Sequence, residues 1–296
     1  MKILIALQNF DYLSGSPMYS YELSKQLVEN GHDVSILSKI GGEITERATK
    51  NGVKCYSFDN PPEDNFDILH LNQFAPAEFA LKKYKDIPAI MTIHSEWDYE
   101  LPYRDERIKK YICIRPSIQE RLKNEFGIEN TTIIYNGIDF NRFNSNPMNL
   151  PDYVEKAVTE TRNDIILFVG TIDHLRKQAG LDLIEKANTQ GFEVIFVGDK
   201  FDTWLDDKIG ENVSWAPSMW NIEHLTKLCT KTAGIMLGRT TIEGWACDKP
   251  GIIYDIDLQG NIKSCKTYSP PLDIEKYDII NVAKQIEDEY NAILSK

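Results

Sequence analysis

Short apolar runs alternate along the chain with longer segments in which apolar residues recur every three to four positions. The first alternation is an apolar run at 2–7, a helical segment at 17–31 and a second apolar run at 33–38. Pro17 falls in a first helical turn and Gly31 at a helix end, where these residues are common. A strand, a helix and a strand in this order predict a βαβ unit of a parallel sheet.

The same alternation continues through the first half of the chain. Further short apolar runs predict strands at 53–58, 67–72, 89–94, 111–116 and 132–136. After the fourth of these runs the spacing becomes helical, and Ser117 followed three residues later by Glu120 is the pattern of a capping box at a helix start. We therefore predict a helix over 117–127.

Residues 141–161 lose this periodicity and contain clusters of Asn and Pro, which are typical of a connecting segment. The alternation resumes at 164–170 with a nearly continuous apolar run, typical of a strand covered on both faces. Further strands are predicted at 193–198 and 233–238, and helices at 179–190 and 222–231. We therefore predict an α/β chain of two doubly wound domains, 1–145 and 146–296. Ligands of such domains bind at the carboxyl ends of the strands and in the cleft between domains.

Composition fits a soluble globular protein, and the acidic charge disfavours binding to polyanions. The 296 residues are 42% hydrophobic and 26% charged, and 33 Lys and Arg against 45 Asp and Glu give a formal charge of -12. This charge repels nucleic acid and acidic membrane surfaces unless a local basic patch compensates. The basic runs at 82–85 and 107–110 fit solvated helix faces better than such a patch.

The cysteines and the apolar runs bear on the compartment. The five cysteines are odd in number, widely spaced and in no CxxC pair, which disfavours a disulfide framework and a structural zinc site and fits a reducing compartment. No apolar run approaches the roughly 18 residues of a spanning helix, and the first run is shorter than a signal-peptide core. We expect a cytoplasmic protein without stable membrane insertion. No His, Cys, Asp and Glu cluster has metal-ligand spacing, so no metal is expected.

The clearest candidate site is the stretch 237–251, LGRTTIEGWACDKPG. Gly238-Arg239-Thr240-Thr241 is predicted to be a strand-to-helix turn, where unpaired N–H groups and the positive end of the helix dipole point out of the sheet. Such a turn suits a phosphate. Gly238 lets a ligand approach the backbone, Thr240 and Thr241 can cap or donate, and Arg239 can add a charge-assisted contact. The alternative is that a Thr simply caps the helix.

Four segments of the chain together resemble a known family. They are 14–38, 114–143, 168–187 and 238–250. In this order they look like the retaining, nucleotide-sugar-dependent GT-B glycosyltransferases of the large group that includes sucrose synthase, glycosyltransferase family 4. The resemblance runs nearly the full length, and its most specific piece is YNGID followed by Phe143. It implies two Rossmann-like domains facing across a cleft, with the donor on the second domain and the acceptor entering from the first.

The resemblance implies roles for residues of the second domain. The family's Glu that accepts hydrogen bonds from the donor ribose matches Glu243. Its Arg and Lys that neutralise the donor pyrophosphate match Thr171 and either Arg176 or Lys177. We expect both Arg176 and Lys177 to stabilise the leaving group, and which of them points inward stays open. The first acid of the family's E-x7-E motif is Ile235 here, which puts a contact to the transferred sugar in doubt.

The resemblance also implies roles for single residues elsewhere. His94 ends a predicted strand and resembles the family's acceptor-side or sugar-contacting His, whereas His70 is expected in or beside the sheet. Gly15 matches a loop that lets the donor phosphate and the acceptor approach the backbone, and this loop lacks the G-x-G-x-x-G of nicotinamide-binding proteins. Trp215 and Pro217 lie in the segment that wraps the nucleotide base, although core packing is the commoner role of a buried aromatic.

The predicted function is transfer of a sugar from a nucleotide diphosphate sugar, expected to be a UDP-sugar, to an unknown acceptor with retention at the anomeric carbon. The acceptor can be a saccharide, a lipid, a protein or a modified nucleic acid. The nucleotide sugar is a co-substrate, and no cofactor or metal is expected. Two alternatives stay open: a GT-B sugar-nucleotide epimerase or hydrolase, and a catalytically weak nucleotide-sugar-binding protein.

Overall fold

The computed structural model describes residues 1–63, 65–97, 100–144 and 164–295. The chain divides into two compact units, one of Met1–Gly137 with Glu275–Lys296 and one of Ile138–Ile274. From residue 145 on, the predicted linker lies outside the described residues, and so does the predicted boundary between 145 and 146.

The first unit is built on a seven-stranded parallel sheet in the order β3-β2-β1-β4-β5-β6-β7. The strands are β1 Lys2–Phe10, β2 Asp33–Ile40, β3 Lys54–Tyr56, β4 Ile68–Asn72, β5 Ala89–Ile93, β6 Ile108–Cys113 and β7 Thr131–Ile133. The helices are α1 Gly15–Glu29, α2 Gly42–Lys50, α3 Phe74–Lys83, α4 Pro116–Phe126 and, from the C-terminal end, α9 Ile279–Leu294. Every residue of β4 and β5 is buried, as expected for parallel strands covered on both faces.

The second unit contains a six-stranded sheet in the order β10-β9-β8-β11-β12-β13. Its strands are β8 Ile165–Val169, β9 Glu193–Val197, β10 Val213–Ala216, β11 Lys231–Ile235, β12 Gly251–Ile256 and β13 Ile262–Tyr268. All pair in parallel except β13, which runs antiparallel to β12. Its described helices are α5 Phe140–Asn144, α6 His174–Gln190, α7 Ile222–Leu228 and α8 Arg239–Ala246. The α/β class with two doubly wound sheets is therefore confirmed.

The capping box predicted for α4 is wrong. Arg115 is the N-cap and Pro116 is the first helical residue, because a proline at this position lacks only an N–H that would be unpaired anyway. The Ser117 hydroxyl instead donates to the Glu96 carboxylate. Strand β6 ends at Cys113, before the predicted end at 116, because the chain enters helix α4 at Pro116.

Two other boundaries in the second unit differ for local reasons. Helix α6 begins five residues before the predicted 179, because the Asp173 carboxylate caps it by accepting from the Arg176 N–H at 3.0 Å. Strand β11 ends at Ile235, before the predicted 238, because Met236 has φ of 54° and leaves the extended conformation.

No helix or strand was predicted at α2, α3, α5, α9, β10 or β13. Helix α2 buries only Ile44 and Ala48, and β13 has no buried residue. Both therefore lack an apolar stripe long enough to show a period.

Helix α9 packs in the first unit, whereas the predicted second domain, 146–296, included it. Its apolar stripe is buried and consists of Ile279, Val282, Ala283, Ile286 and Tyr290. The Tyr290 hydroxyl lies 2.7 Å from Nδ1 of the buried His70. A Cβ at Gly137 would lie 2.8 Å from Cδ1 of Ile279, so a glycine there permits the close approach of the helix. Sequence position alone does not show which sheet will bury such a stripe.

Each sheet has one place where the strand order reverses. In the first unit β1 lies between β2 and β4, and in the second unit β8 lies between β9 and β11. The connections leaving two neighbouring strands there run to opposite faces of the sheet, which opens a crevice at their carboxyl ends. The crevice at β8 and β11 and the crevice at β1 and β4 are therefore the places to look for ligands.

Candidate functional site

In the second unit, the predicted phosphate turn lies at the point where the strand order reverses. Gly238 is the N-cap of α8, and the Thr240 hydroxyl donates to the Val169 carbonyl at 2.9 Å, which joins the turn to the end of β8. Gly170 and Gly198 follow β8 and β9, and a Cβ at Gly198 would lie 1.9 Å from the Gly170 carbonyl oxygen. Glycines thus let three backbone segments meet at this edge of the sheet.

Of the two predicted cations, Arg176 lies against this edge. A Cβ at Gly170 would lie 2.7 Å from Arg176 Nε, so the side chain crosses the glycine. Its guanidinium donates to the Thr171 hydroxyl at 2.8 Å and to the Asp173 carboxylate. The positive charge therefore reaches position 171, although its neighbour Asp173 partly neutralises it. Lys177 is exposed and makes no ion pair with the residues that the structure describes.

Glu243 and Arg239 form an ion pair on α8. Glu243 is 5% exposed, and Arg239 Nε lies 2.8 Å from its Oε1. The pairing offsets part of the cost of burying the carboxylate, and removing either partner would break this buried ion pair. The predicted ribose-binding acid is thus held rigidly one turn into the helix whose first residue is the predicted phosphate-binding arginine.

The backbone amides of the turn are accessible to a ligand, whereas the Thr241 side chain is not. The amides of Gly238 and Thr240 make no hydrogen bond to the part of the chain that the structure describes, so the helix end offers donors for an anion. Thr241 is buried, and a Cβ on Gly251 of β12 would lie 2.6 Å from its Cγ2. Its side chain therefore packs against the sheet. This geometry does not support the expected contact between the Thr241 hydroxyl and the nucleotide-sugar donor.

Trp215 belongs to β10 and is not in a loop after a strand. Its indole N–H donates to the Gly198 carbonyl at 2.9 Å, and Lys200 Nζ lies 4.2 Å from the ring centroid. Pro217 is exposed just beyond the strand. Ile235, at the end of β11, is half-buried, so this strand ends without the acid that the family motif would place there.

In the first unit, His94 follows β5 and is half-buried. Its Nε2 lies 2.8 Å from Asn72 Oδ1. The Asn72 amide N–H donates to the Ala6 carbonyl, so Oδ1 is the acceptor and His94 Nε2 carries the proton. Burial, and after it the charge of Arg115, lowers the pKa of His94 to about 3. The imidazole is therefore neutral at pH 7, with Nδ1 as an acceptor.

Gly15 and His70 occupy different environments in this unit. Gly15 is the first residue of α1, is exposed, and a Cβ there would contact no described protein atom. His70 is fully buried in β4, with Nδ1 at Tyr290 and Nε2 2.7 Å from the Thr92 hydroxyl. Both ring nitrogens thus have hydrogen-bond partners within the first unit, in agreement with the predicted place of His70 in the sheet.

Comparison with known proteins bears on the fold. Residues 13–142 match the model of Glycosyltransferase Family 4. A glycosyltransferase from Rickettsia africae is 16% identical, with a TM-score of 0.72 over 100% of this chain and 99% of its own. HepE from Anabaena, in complex with UDP and glucose, is 13% identical, with a TM-score of 0.75 over 99% and 100%. These neighbours share the GT-B fold, and the fold of this chain is therefore that of GT-B glycosyltransferases.

A more distant GT-B neighbour has a different activity. The UDP-GlcNAc 2-epimerase from Neisseria meningitidis, bound to UDP-GlcNAc, is 11% identical, with a TM-score of 0.56 over 100% of this chain and 94% of its own. A comparison with curated proteins gave no significant match. The matched family range includes Gly15 and His94 but ends before Arg176 and Glu243, so the candidate donor residues rest on the fold and their own geometry.

Sequence reasoning missed two residues of the first unit's crevice, Gln73 and Glu100. Gln73 follows β4 and has φ of 59°. Its Nε2 lies 3.3 Å from Ser16 Oγ and 3.5 Å from Glu100 Oε1. Burial raises the pKa of Glu100 to about 7, against the opposing effect of hydrogen bonds from the His94 backbone N–H and Gln73. The only signal in the sequence was the position of Gln73 directly after a predicted strand.

Neither a metal cluster nor a spanning helix is found in the part of the chain that the structure describes. No three His, Cys, Asp or Glu side chains converge there as a metal site would require. Within the same residues, every helix is too short or too polar to cross a bilayer.

Proposed function

We propose that the protein moves a sugar from a nucleotide diphosphate sugar to an acceptor, with retention of the anomeric configuration. The observation that carries the proposal is the cluster at the ends of β8 and β11. There a turn with free amides at Gly238 and Thr240 adjoins Arg176 and the buried Arg239–Glu243 pair. Amide donors and cations suit a diphosphate, and a carboxylate suits ribose hydroxyls.

A UDP-sugar is the proposed donor. Its support is that HepE structures contain UDP with glucose and UDP-glucose, and that the Neisseria epimerase binds UDP-GlcNAc. These neighbours share the fold at low sequence identity, so the base must be tested directly. Trp215 and Pro217 are proposed to flank it.

The proposed chemistry is mainly electrostatic. Negative charge grows on the diphosphate as the glycosidic bond breaks, and preorganised donors at that position lower the barrier. Arg176 is proposed as the inner cation, Arg239 and the amides of the turn as further donors, and Lys177 as a second cation that approaches from solvent. The acceptor oxygen attacks the anomeric carbon from the face that the diphosphate leaves and forms the new glycosidic bond. The diphosphate takes the proton of the acceptor hydroxyl, which is the route to retention that the family resemblance implies.

The first unit is proposed to hold the sugar and the acceptor. Neutral His94 offers Nδ1 as an acceptor for a sugar hydroxyl, and Gly15 leaves the start of α1 open to approach. No metal or separate cofactor is needed in this scheme, so excess EDTA should leave the rate unchanged. A cytoplasmic location remains the prediction from the cysteine pattern.

The test is diphosphate release from a panel of nucleotide sugars, with UDP binding measured by calorimetry. We expect Arg176→Ala and Glu243→Gln to lower turnover by about 100-fold or more, the size seen when a charge-stabilising donor is removed. Lys177→Ala should cost less because Lys177 is exposed. Glu185→Gln, at an exposed position of α6, is the matched control. Turnover at the wild-type rate in both Arg176→Ala and Glu243→Gln would refute the site assignment.

Two other functions remain as outcomes of the same experiment. The likeness to the epimerase favours a reaction without an acceptor, which would change the sugar while the diphosphate stays attached. Ile235, together with the partial neutralisation of Arg176 by Asp173, favours a protein that binds nucleotide sugars with little turnover. Binding by calorimetry without product across the panel would identify the second case.

A further inference from the structure

A buried carboxyl group with an uncommitted oxygen lies at the crevice of the first unit. Glu100 is 7% exposed, and Gln73 Nε2 donates to its Oε1 at 3.5 Å. Its Oε2 is buried and has no hydrogen-bond partner among the described residues. An unsatisfied buried oxygen of this kind is costly unless a ligand or water supplies the missing donor.

The neighbour of this carboxyl group is held in an unusual conformation. Gln73 has φ of 59°, a region that non-glycine residues rarely occupy because it strains the backbone. The Gln8 N–H donates to Gln73 Oε1 at 3.1 Å, which aims Nε2 at Ser16 Oγ and at Glu100. The strain thus orients a polar amide between the start of α1 and the carboxyl group, at the place where β1 and β4 diverge.

An exposed apolar side chain follows each of Gln73 and Glu100 in the sequence. Phe74 directly follows Gln73 and is 42% exposed, and Leu101 directly follows Glu100 and is 39% exposed. The Phe74 ring packs edge-on against Tyr103, with centroids 5.0 Å apart. Exposed apolar side chains next to a few fixed polar groups are the usual composition of a small-molecule site.

We propose that Glu100, Gln73 and Ser16 form the subsite that binds a hydroxyl group of the acceptor, and that the acceptor is a neutral saccharide. The inference rests on the proposed glycosyl transfer and narrows its acceptor class. A sugar hydroxyl donates to Glu100 Oε2 and can accept from Gln73 Nε2 or the Ser16 hydroxyl, since hydroxyls do both. The C–H face of the sugar ring covers Phe74. A buried carboxyl group repels phosphates, which disfavours nucleic acid and phosphorylated head groups at this subsite.

The raised pKa of Glu100 agrees with a neutral partner. A carboxyl group that is half protonated near pH 7 can donate to or accept from a hydroxyl. An ammonium group would instead favour the carboxylate and lower its pKa.

The experiment is saturation-transfer NMR on the full chain with UDP present. The probes are methyl α-glucoside, methyl β-galactoside, methyl α-mannoside and glucose 6-phosphate. We expect at least one neutral glycoside to bind, roughly tenfold weaker binding in Glu100→Gln because one hydrogen bond is lost, and a further loss in Phe74→Ala. Glu106→Gln, at an exposed position of the same unit, should bind like the wild type.

Three outcomes would overturn the inference: no binding of a neutral glycoside, unchanged binding in both Glu100→Gln and Phe74→Ala, or preferred binding of glucose 6-phosphate that Glu100→Gln does not weaken. Glu100→Gln keeps the shape of the side chain, and circular dichroism checks that it folds. UDP calorimetry on the same samples separates the two proposals. UDP binding without glycoside binding would refute only the acceptor subsite, whereas absence of UDP binding to the wild type would refute the proposed function.

Discussion

The titration of Glu100 predicts a change in stability that can be measured without a substrate. The free carboxyl group has a pKa of 4.5, and burial raises it to about 7 in the folded chain. Between these values the folded state binds more protons than the unfolded state, so the free energy of unfolding falls as pH rises from 4.5 to 7. A difference of about 2.5 units at 1.36 kcal/mol each corresponds to about 3 kcal/mol, as an upper limit.

Glu100→Gln replaces the carboxyl group by a side chain of the same shape that cannot ionise. Relative to the wild type, the variant should be more stable at pH 8 by up to about 3 kcal/mol, and the difference should disappear near pH 4.5. The charged group identified near Glu100 is Arg115, which Glu96 already pairs, while neutral His94 contributes its backbone N–H. The wild-type carboxylate therefore has little compensation at high pH.

The assay is urea unfolding of both proteins at pH 5 and pH 8. The quantity compared is the free energy of unfolding of the variant minus that of the wild type, at pH 8 against pH 5. Because the two units can unfold separately, urea unfolding need not be two-state. Carbon-13 NMR of labelled glutamate therefore serves as an independent measure of the Glu100 pKa. A wild-type carboxyl signal that titrates near 4.5, or a Glu100→Gln variant that is equally destabilised at both pH values, would refute the reasoning.

Three further predictions concern other parts of the two units. Arg239→Ala and Glu243→Ala should each destabilise by about 3–5 kcal/mol, and the double variant by clearly less than their sum, because either single variant already breaks the same buried ion pair; thermal unfolding of the four proteins measures this, and additive effects would contradict it. Burial, with a smaller effect of His94, lowers the pKa of His70 to about 3, so stability present above pH 6.5 should fall by about 1.4 kcal/mol per pH unit as pH drops toward 3; proton NMR should show this ring still neutral at pH 5. Gly198→Ala should destabilise by at least 1–3 kcal/mol, since its Cβ would lie 1.9 Å from a backbone oxygen; an unchanged melting temperature would show that the backbones can separate at low cost.

The alternation of apolar runs and helical spacing was enough to predict two α/β units and the positions of most strands. Each buried strand or helix carries its own apolar pattern, and this pattern is local. The same reasoning located the Gly238 turn, because a strand-to-helix turn in a parallel sheet offers backbone donors wherever it occurs, whereas Glu243 was singled out by the family resemblance. Elements without a buried stripe, such as α2 and β13, left no pattern to read.

Only the tertiary structure decided which side chains meet. It showed Arg176 against Gly170 with Lys177 in solvent, Thr241 turned toward β12, and α9 packed in the first unit. It also brought Gln73 and Glu100 together, 27 positions apart in the chain. Such contacts depend on backbone angles in loops and on which sheet buries a given stripe, and neither is encoded in the periodicity of a single segment. The sequence by itself thus determined the two sheets and the location of the strand-to-helix turn at Gly238, and the packing determined the chemical environment of each side chain around them.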